Sequence, residues 1–283
     1  MKFTKMQGCG NDYIYVNCFS ETVPEPSALA VQISDRHYGV GGDGLILIEP
    51  SEKADAFMRM FNADGSEGKM CGNGIRCVAK YLYDHGFVPK ERRFIRVDTR
   101  AGIREITFTV KNDSALELTV DMGQPTLTSK VPETITILDM QLCFIGVDIG
   151  NLHAVFFLDH NPALGASSIS EVDLAAFGRS FETHPWIPGG VNSEFVEMIQ
   201  PNEIDFRVWE RGSGETLACG TGAAAAVYAG ICAGMLEKEV LVHLAGGDLQ
   251  VRLDPENGHC FLTGGAEEVF TGEIHSMHML KAL

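Results

Sequence analysis

Two stretches of this chain repeat one another. Residues 61–74 read FNADGSEGKMCGNG and residues 209–222 read WERGSGETLACGTG. At a constant offset of 148 positions, Phe61 falls on Trp209, Glu67 on Glu215, Cys71 on Cys219, Gly72 on Gly220 and Gly74 on Gly222. The second glycines of Gly41-Gly42 and Gly189-Gly190 each stand 29 residues before their cysteine. Farther upstream, Gly10-Asn11 precedes the apolar run Tyr13-Ile14-Tyr15-Val16, and Gly150-Asn151 precedes Ala154-Val155-Phe156-Phe157. Three landmarks recurring in one order mark a duplicated folding unit, so the chain folds as two related halves.

Each half reads as strands about one helix. After Cys71, Ile75, Val78, Ala79 and Leu82 recur at spacings of three and four, and Gly86 ends the pattern, which predicts an amphipathic helix with a C-terminal glycine. After Cys219, the run Ala223-Ala224-Ala225-Ala226-Val227-Tyr228-Ala229 favours helix and is apolar all round, so it belongs in a core. Short β-rich runs fill much of the remainder: 45–49, 94–98, 104–110, 116–122, 144–148, 193–199, 204–209, 240–244 and 247–253. The expected fold is α/β (α+β) with two pseudo-symmetric domains. Each is a mostly antiparallel sheet or barrel wrapped around a central buried helix. The expected boundaries are 1–117, completed by a C-terminal strand near 265–283, and 118–264.

The 283 residues are 45% hydrophobic and 21% charged, enough apolar material for two cores without disulfides. A net charge of −16 argues against nucleic acid or an anionic membrane surface as partner. The N-terminus lacks the apolar core of a secretory signal, and no run is long enough to span a bilayer. These features predict a cytosolic protein with reduced thiols. None of the eight cysteines forms a Cys-x-x-Cys pair, and His243 and His259 lie near cysteines without ligand spacing, so no metal site is expected. Most of the cysteines are expected to be small buried residues.

Cys71 and Cys219 are the exceptions. Each precedes Gly-x-Gly at a predicted helix start, where backbone N–H groups lack intrahelical partners and the helix dipole favours an anion. The thiol pKa is expected to fall there, and the same N–H groups suit a carboxylate. Inverting a stereocentre needs a base on one face of the carbon and an acid on the other, a task for two thiols of similar acidity. Removing an α-proton drives charge into the substrate carboxylate, which preorganised donors stabilise, each by roughly 3–4 kcal/mol.

At these residues the sequence resembles the diaminopimelate epimerase family. The matching motifs are Gly8-Cys9-Gly10-Asn11-Asp12, Phe61 to Glu67, Met70-Cys71-Gly72-Asn73-Gly74-Ile75-Arg76-Cys77, Gly189-Gly190-Val191-Asn192, Glu210 to Thr216, and Ala218-Cys219-Gly220-Thr221-Gly222. They span nearly the whole chain in the family's order. The resemblance implies a pyridoxal-independent isomerase, needing no cofactor, that interconverts LL- and meso-diaminopimelate in lysine and peptidoglycan precursor biosynthesis. It also implies an active site between two domains, and a homodimer. Carried over residue by residue, Cys71 and Cys219 are the acid/base thiols. Gly72, Asn73, Gly220 and Thr221 serve the reacting carboxylate. Asn11, Asn62, Asn151, Asn192, Glu210 and Arg211 hold the substrate's other polar groups, and His153 and Glu210 tune the thiols.

Three positions depart from the family pattern. Leu152 replaces the usual proline of the Gly-Asn-Pro-His segment. Gly44 stands where some members carry a substrate-contacting glutamine. Phe270 stands where some use a tyrosine at the dimer contact. A two-cysteine racemase of the proline or hydroxyproline type is the nearest competitor. Those relatives typically carry histidine at the place of Asn73 and lack the Glu210-Arg211-Gly212-Ser213-Gly214 approach. A non-enzymatic thiol redox protein is the alternative from another class, and it would show reversible thiol chemistry without α-proton exchange.

Overall fold

The computed structural model describes residues 1–182, 184 and 189–275. It divides into two compact units. One is Met1–Val120 with the segment that begins at Gly264, and the other is Asp121–Thr263. The first unit holds β1 (Lys2–Gly8), β2 (Asn11–Asn17), α1 (Pro26–Ser34), β3 (Gly44–Glu49), β4 (Ala56–Asn62), β5 (Glu67–Gly68), α2 (Gly72–Asp84), β6 (Phe94–Asp98), β7 (Arg104–Lys111) and β8 (Ser114–Asp121). The second holds β9 (Thr126–Leu127), β10 (Glu133–Ile137), β11 (Met140–Asp148), β12 (Leu152–Phe157), α3 (Leu174–Glu182), β13 (Asn192–Gln200), β14 (Glu203–Glu210), β15 (Gly214–Thr216), α4 (Gly220–Cys232), β16 (Glu239–Leu244), β17 (Gly247–Leu253) and β18 (Cys260–Gly264). The chain then returns to the first unit as β19 (Glu267–Glu273), antiparallel to β1. The far end of the expected C-terminal strand, 276–283, lies outside the described residues.

The two sheets share one wiring. In the first unit β1 pairs antiparallel with β2, β2 parallel with β3, β3 antiparallel with β4, and β4 parallel with β6. In the second, β11, β12, β13, β14 and β16 follow the same alternation. A parallel pair needs a crossover connection, and the helices provide them. α1 links β2 to β3, α2 links β4 to β6, α3 links β12 to β13, and α4 links β14 to β16. Most pairings are antiparallel, as the sequence predicts, but the parallel pairs are what place a helix on each face of the central strands.

That arrangement explains why the central strands are apolar runs and not alternating ones. In β3 all residues from Gly44 to Ile48 are buried. Leu45 and Leu47 pack with Leu29, Ala30 and Ile33 of α1, while Ile46 meets the start of α2. In the second unit Phe177 and Phe181 of α3 pack with Phe156, Phe195 and Trp209, and α4 covers the opposite face. The outer helices α1 and α3 are not foreseen in the sequence reading. Each is nine residues long, too short for its periodicity to stand out. No described helix is long and apolar enough to cross a membrane. The cysteines are less buried than expected. Cys77, Cys219 and Cys260 are buried, Cys9, Cys18, Cys71 and Cys143 are half-buried, and Cys232 is exposed. Cys232 is the last residue of α4 and Cys18 follows the end of β2, so both sit where the chain emerges from the sheet and helix core.

Candidate active site

Both cysteines cap their helices. Cys71 is the N-cap of α2 and Cys219 that of α4, each in extended conformation. The sulfur accepts the N–H of the third helical residue in both: Gly74 at 3.3 Å and Gly222 at 3.4 Å. The first two N–H groups, those of Gly72 and Asn73 and of Gly220 and Thr221, have no intrahelical partner by construction. The second glycine of each motif is required by close packing. A Cβ on Gly74 would lie 2.7 Å from Ile46 Cδ1, and one on Gly222 would lie 2.9 Å from Glu194 Oε1. Cys-Gly-x-Gly is thus a thiol cap followed by a helix start pressed onto the sheet.

In the first unit Asn11 lies at the start of β2, and its Oδ1 accepts from Cys71 Sγ at 3.3 Å. Asn11 Nδ2 donates to Asp43 at 2.8 Å, so the amide is fixed in one orientation. Behind it stands a charged cluster. Lys5 pairs with Asp12 at 2.6 Å, and Arg36 bridges Asp12 and Asp43. Burial works against ionised Asp12, but Arg36 and Lys5 prevail and hold its carboxyl below the ordinary value. Asn73 is buried, and its Oδ1 accepts from Arg76 at 3.0 Å. Asn62 ends β4 and donates to Ser66 at 3.0 Å. Gly44 cannot carry the glutamine found there in some family members, because a Cβ would lie 2.1 Å from the Phe61 carbonyl oxygen.

In the second unit Asn151 Nδ2 donates to Thr221 Oγ1 at 3.4 Å, and that hydroxyl lies 3.5 Å from Cys219 Sγ. Leu152, which unlike proline has an N–H, joins the β11–β12 ladder opposite Asp148. Asn192 Oδ1 accepts the Arg211 backbone N–H at 2.9 Å, and the Arg211 guanidinium donates to Gly189 O. Gly190 has φ +78°, and a Cβ there would lie 2.7 Å from Arg211 Cδ, so the Gly-Gly turn exists to let Arg211 lie across it. Glu210 accepts from Thr216 Oγ1 and from the Cys219 thiol. His153 Nδ1 is 2.7 Å from Glu194 Oε1, and both side chains are fully buried.

The acidity of Cys219 departs from the sequence expectation. Burial pushes its thiol well above the ordinary value, and the nearby Glu210 and Glu194 carboxyls push it further. The bonds from Thr221 and the Gly222 N–H act the other way and lose. Magnitudes explain the outcome. A helix N-terminus stabilises an anion by about 0.3–2 kcal/mol, whereas burying a charged group shifts its pKa by up to about 3–5 units. Burial likewise raises the Glu210 carboxyl, against its bonds to Thr216 and Cys219. Burial thus raises both members of the Cys219 and Glu210 pair, whose carboxyl accepts the thiol's hydrogen bond. Among the other cysteines, burial holds Cys77 at about 11 and Cys260 at about 12.

The structure thus gathers Cys71, Asn11, Gly72 and Asn73 at the head of α2, with Asn62 at the end of β4. It gathers Cys219, Thr221, Asn151 and Glu210 at the head of α4, with Asn192 at the start of β13 bonded to Arg211 just past the end of β14. Sequence reasoning missed Asp43, Arg76 and Glu194. For Glu194 there was a signal: an acidic residue inside the run Val191 to Val196, in a strand otherwise buried through that stretch.

A profile of the family described as "Diaminopimelate epimerase" matches residues 3–128 and 145–269. Proteins named diaminopimelate epimerase from Agathobacter rectalis and Bacillus velezensis are 47% and 45% identical to this chain. They cover 97% and 96% of it and 99% and 97% of themselves. Among solved structures, a hydroxyproline epimerase from Agrobacterium vitis superposes with a TM-score of 0.75 at 15% identity, covering 96% of this chain and 91% of that one. A PhzF-family phenazine biosynthesis protein from Bacillus anthracis gives 0.67 at 19% identity, covering 97% and 98%. At those identities the likeness is one of fold.

Proposed function

The chain belongs to the diaminopimelate epimerase family, and we propose that it interconverts LL- and meso-2,6-diaminopimelate by a two-base reaction without pyridoxal, on the route to lysine. One thiolate removes the α-proton, breaking C–H and forming S–H. The other thiol returns a proton to the opposite face, breaking S–H and forming C–H. Cys71 and Cys219 take these roles, each acting as base for one isomer. The single observation that carries this reading is the matched pair of cysteine N-caps, each sulfur held by the third helical N–H. The N–H groups of Gly72, Asn73, Gly220 and Thr221 receive the carboxylate where charge grows. Asn11, Asn62, Asn151, Asn192 and Arg211 select the remaining polar groups, with Arg211 suited to a second carboxylate. Glu210 exchanges a proton with Cys219, and His153 acts beside it.

The reading is tested by incubating reduced protein with LL-diaminopimelate in deuterated water. The expected result is meso product carrying deuterium at one α-carbon. Absence of exchange with any diamino acid, together with reversible thiol redox chemistry, sinks it. We place the reaction in the cytosol, where a reducing milieu keeps thiols available.

We also propose that the chain works as a homodimer through β19. This strand pairs with β1 and with no other described strand, and it exposes Val269 and Phe270. An exposed apolar edge strand of this kind is a template for pairing with another chain. Phe270→Glu is expected to convert the dimer to monomer in light scattering. A wild-type mass for that variant counts against the interface.

A further inference from the structure

The two halves differ at one buried place. In the first, Tyr13 of β2 lies opposite Gly44 of β3, and in the second His153 of β12 lies opposite Asn192 of β13. Two residues on, each strand presents a side chain to the start of the helix that covers it: Ile46 under Gly74, and Glu194 under Gly222. The fold therefore accepts an isoleucine at this position. Glu194 is not needed for packing, and a buried carboxyl costs several kcal/mol unless well compensated. Compensation is incomplete. Glu194 Oε1 bonds His153 Nδ1 at 2.7 Å, but Glu194 Oε2 and His153 Nε2 are both buried with no hydrogen-bond partner among the described residues.

We propose that Glu194 is a positioning residue of the Cys219 half-site, holding the His153 ring through Nδ1 and setting the charge felt by the Cys219 thiol and the Glu210 carboxyl. The groups acting on Cys219 are Glu210 from β14 and Glu194 from β13, with Thr221 on α4 itself, while His153 from β12 acts on both carboxyls. The same backbone position, Gly222, is within reach of both Glu194 Oε1 and Cys219 Sγ, so the carboxyl acts at short range in a site with little water. Holding one ring nitrogen of a histidine fixes which nitrogen carries the proton. His153 is thereby held in one ring orientation, from which it acts on the Glu210 carboxyl that bonds Cys219. This deepens the epimerase reading above and rests on it.

The test separates the two claims. Alkylation of each thiol by iodoacetamide is followed against pH by mass spectrometry, with no substrate present, and epimerisation is measured apart from it. Glu194→Gln removes the charge and nearly keeps the shape. The alkylation midpoint of Cys219 is expected to fall by about one pH unit, because a nearby negative charge disfavours the thiolate, while that of Cys71 stays in place. Epimerisation kcat is expected to fall at least tenfold with KM changed far less. Adding Glu194→Gln to His153→Asn is expected to lose little more than His153→Asn alone, since one residue acts through the other. An unmoved Cys219 midpoint, an equal shift at Cys71, or fully additive losses overturn the proposal. Should the glutamine variant fold poorly, Glu194→Asp keeps the charge but shortens the reach. It is expected to lower kcat and leave the Cys219 midpoint near wild type, and a midpoint that falls with it overturns the charge argument. Failure of the wild type to epimerise diaminopimelate would count against the proposed function and leave the alkylation result standing.

Discussion

Replacing either Cys71 or Cys219 by serine is expected to lower epimerisation by about 10³-fold or more, within the range that general acid–base groups contribute. Serine is nearly isosteric and keeps the cap, since its hydroxyl also accepts the N–H of the third helical residue. The loss therefore isolates proton transfer from folding. A hydroxyl is far less acidic than a thiol and is neither a competent base when neutral nor an accessible anion near pH 7. The two variants are expected to fail in complementary ways. If each thiol serves one face of the α-carbon, Cys71→Ser leaves Cys219 able to exchange the α-proton of one isomer without inverting it. Cys219→Ser leaves Cys71 able to do so with the other isomer. Deuterium uptake by recovered LL- and meso-substrate, read by mass spectrometry, reveals the crossed pattern. Wild-type turnover in either variant sinks the two-base mechanism.

The second large effect is structural. Arg76 is fully buried on α2. Its guanidinium donates to Gly72 O at 3.3 Å, to Asn73 Oδ1 at 3.0 Å and to Gly265 O at 3.2 Å, and Nη2 lies 3.8 Å from Cys9 Sγ. One side chain thus ties the head of α2 to the segment that leads into β19. Arg76→Ala strips a partner from two buried acceptors, Gly72 O and Asn73 Oδ1, and opens a cavity. The expected cost is about 3–5 kcal/mol, or a fall of about 10 °C in the unfolding transition. Arg76→Lys is expected to recover only part of this, because an ammonium cannot reproduce the planar fork of donors. Differential scanning calorimetry decides the matter, and an alanine variant that unfolds within about 1 °C of wild type would remove Arg76 from this role. Activity should fall too, since Arg76 holds the Asn73 side chain at the first turn.

Much of this was readable from residues alone because the chain states its plan twice. The 148-residue offset between Cys71 and Cys219 carries through α2 and α4, which begin at Gly72 and Gly220 and end at Asp84 and Cys232. It also carries to Gly44 and Asn192, the first residues of β3 and β13. Local chemistry was legible for the same reason. A cysteine before Gly-x-Gly is an N-cap whatever surrounds it, since capping involves only a few consecutive residues. The helices α1 and α3 escaped notice because their form depends on a sheet face to cover, not on a pattern of their own.

The sequence by itself determined the duplicated frame, the two capped helices and the two thiols at their heads, all of which follow from short-range pattern and spacing. Only the tertiary structure decided the surroundings of the Cys219 thiol, where burial and the Glu210 and Glu194 carboxyls disfavour its ionisation. Burial and charge depend on which strand positions lie beneath the helix start. That is set by the parallel pairing of His153 with Asn192 and by the approach of Gly222 to Glu194. These contacts join residues about 30–40 positions apart in sequence, too far for any local pattern to reveal, and the desolvation they create outweighs the helix dipole that the sequence reading relied on.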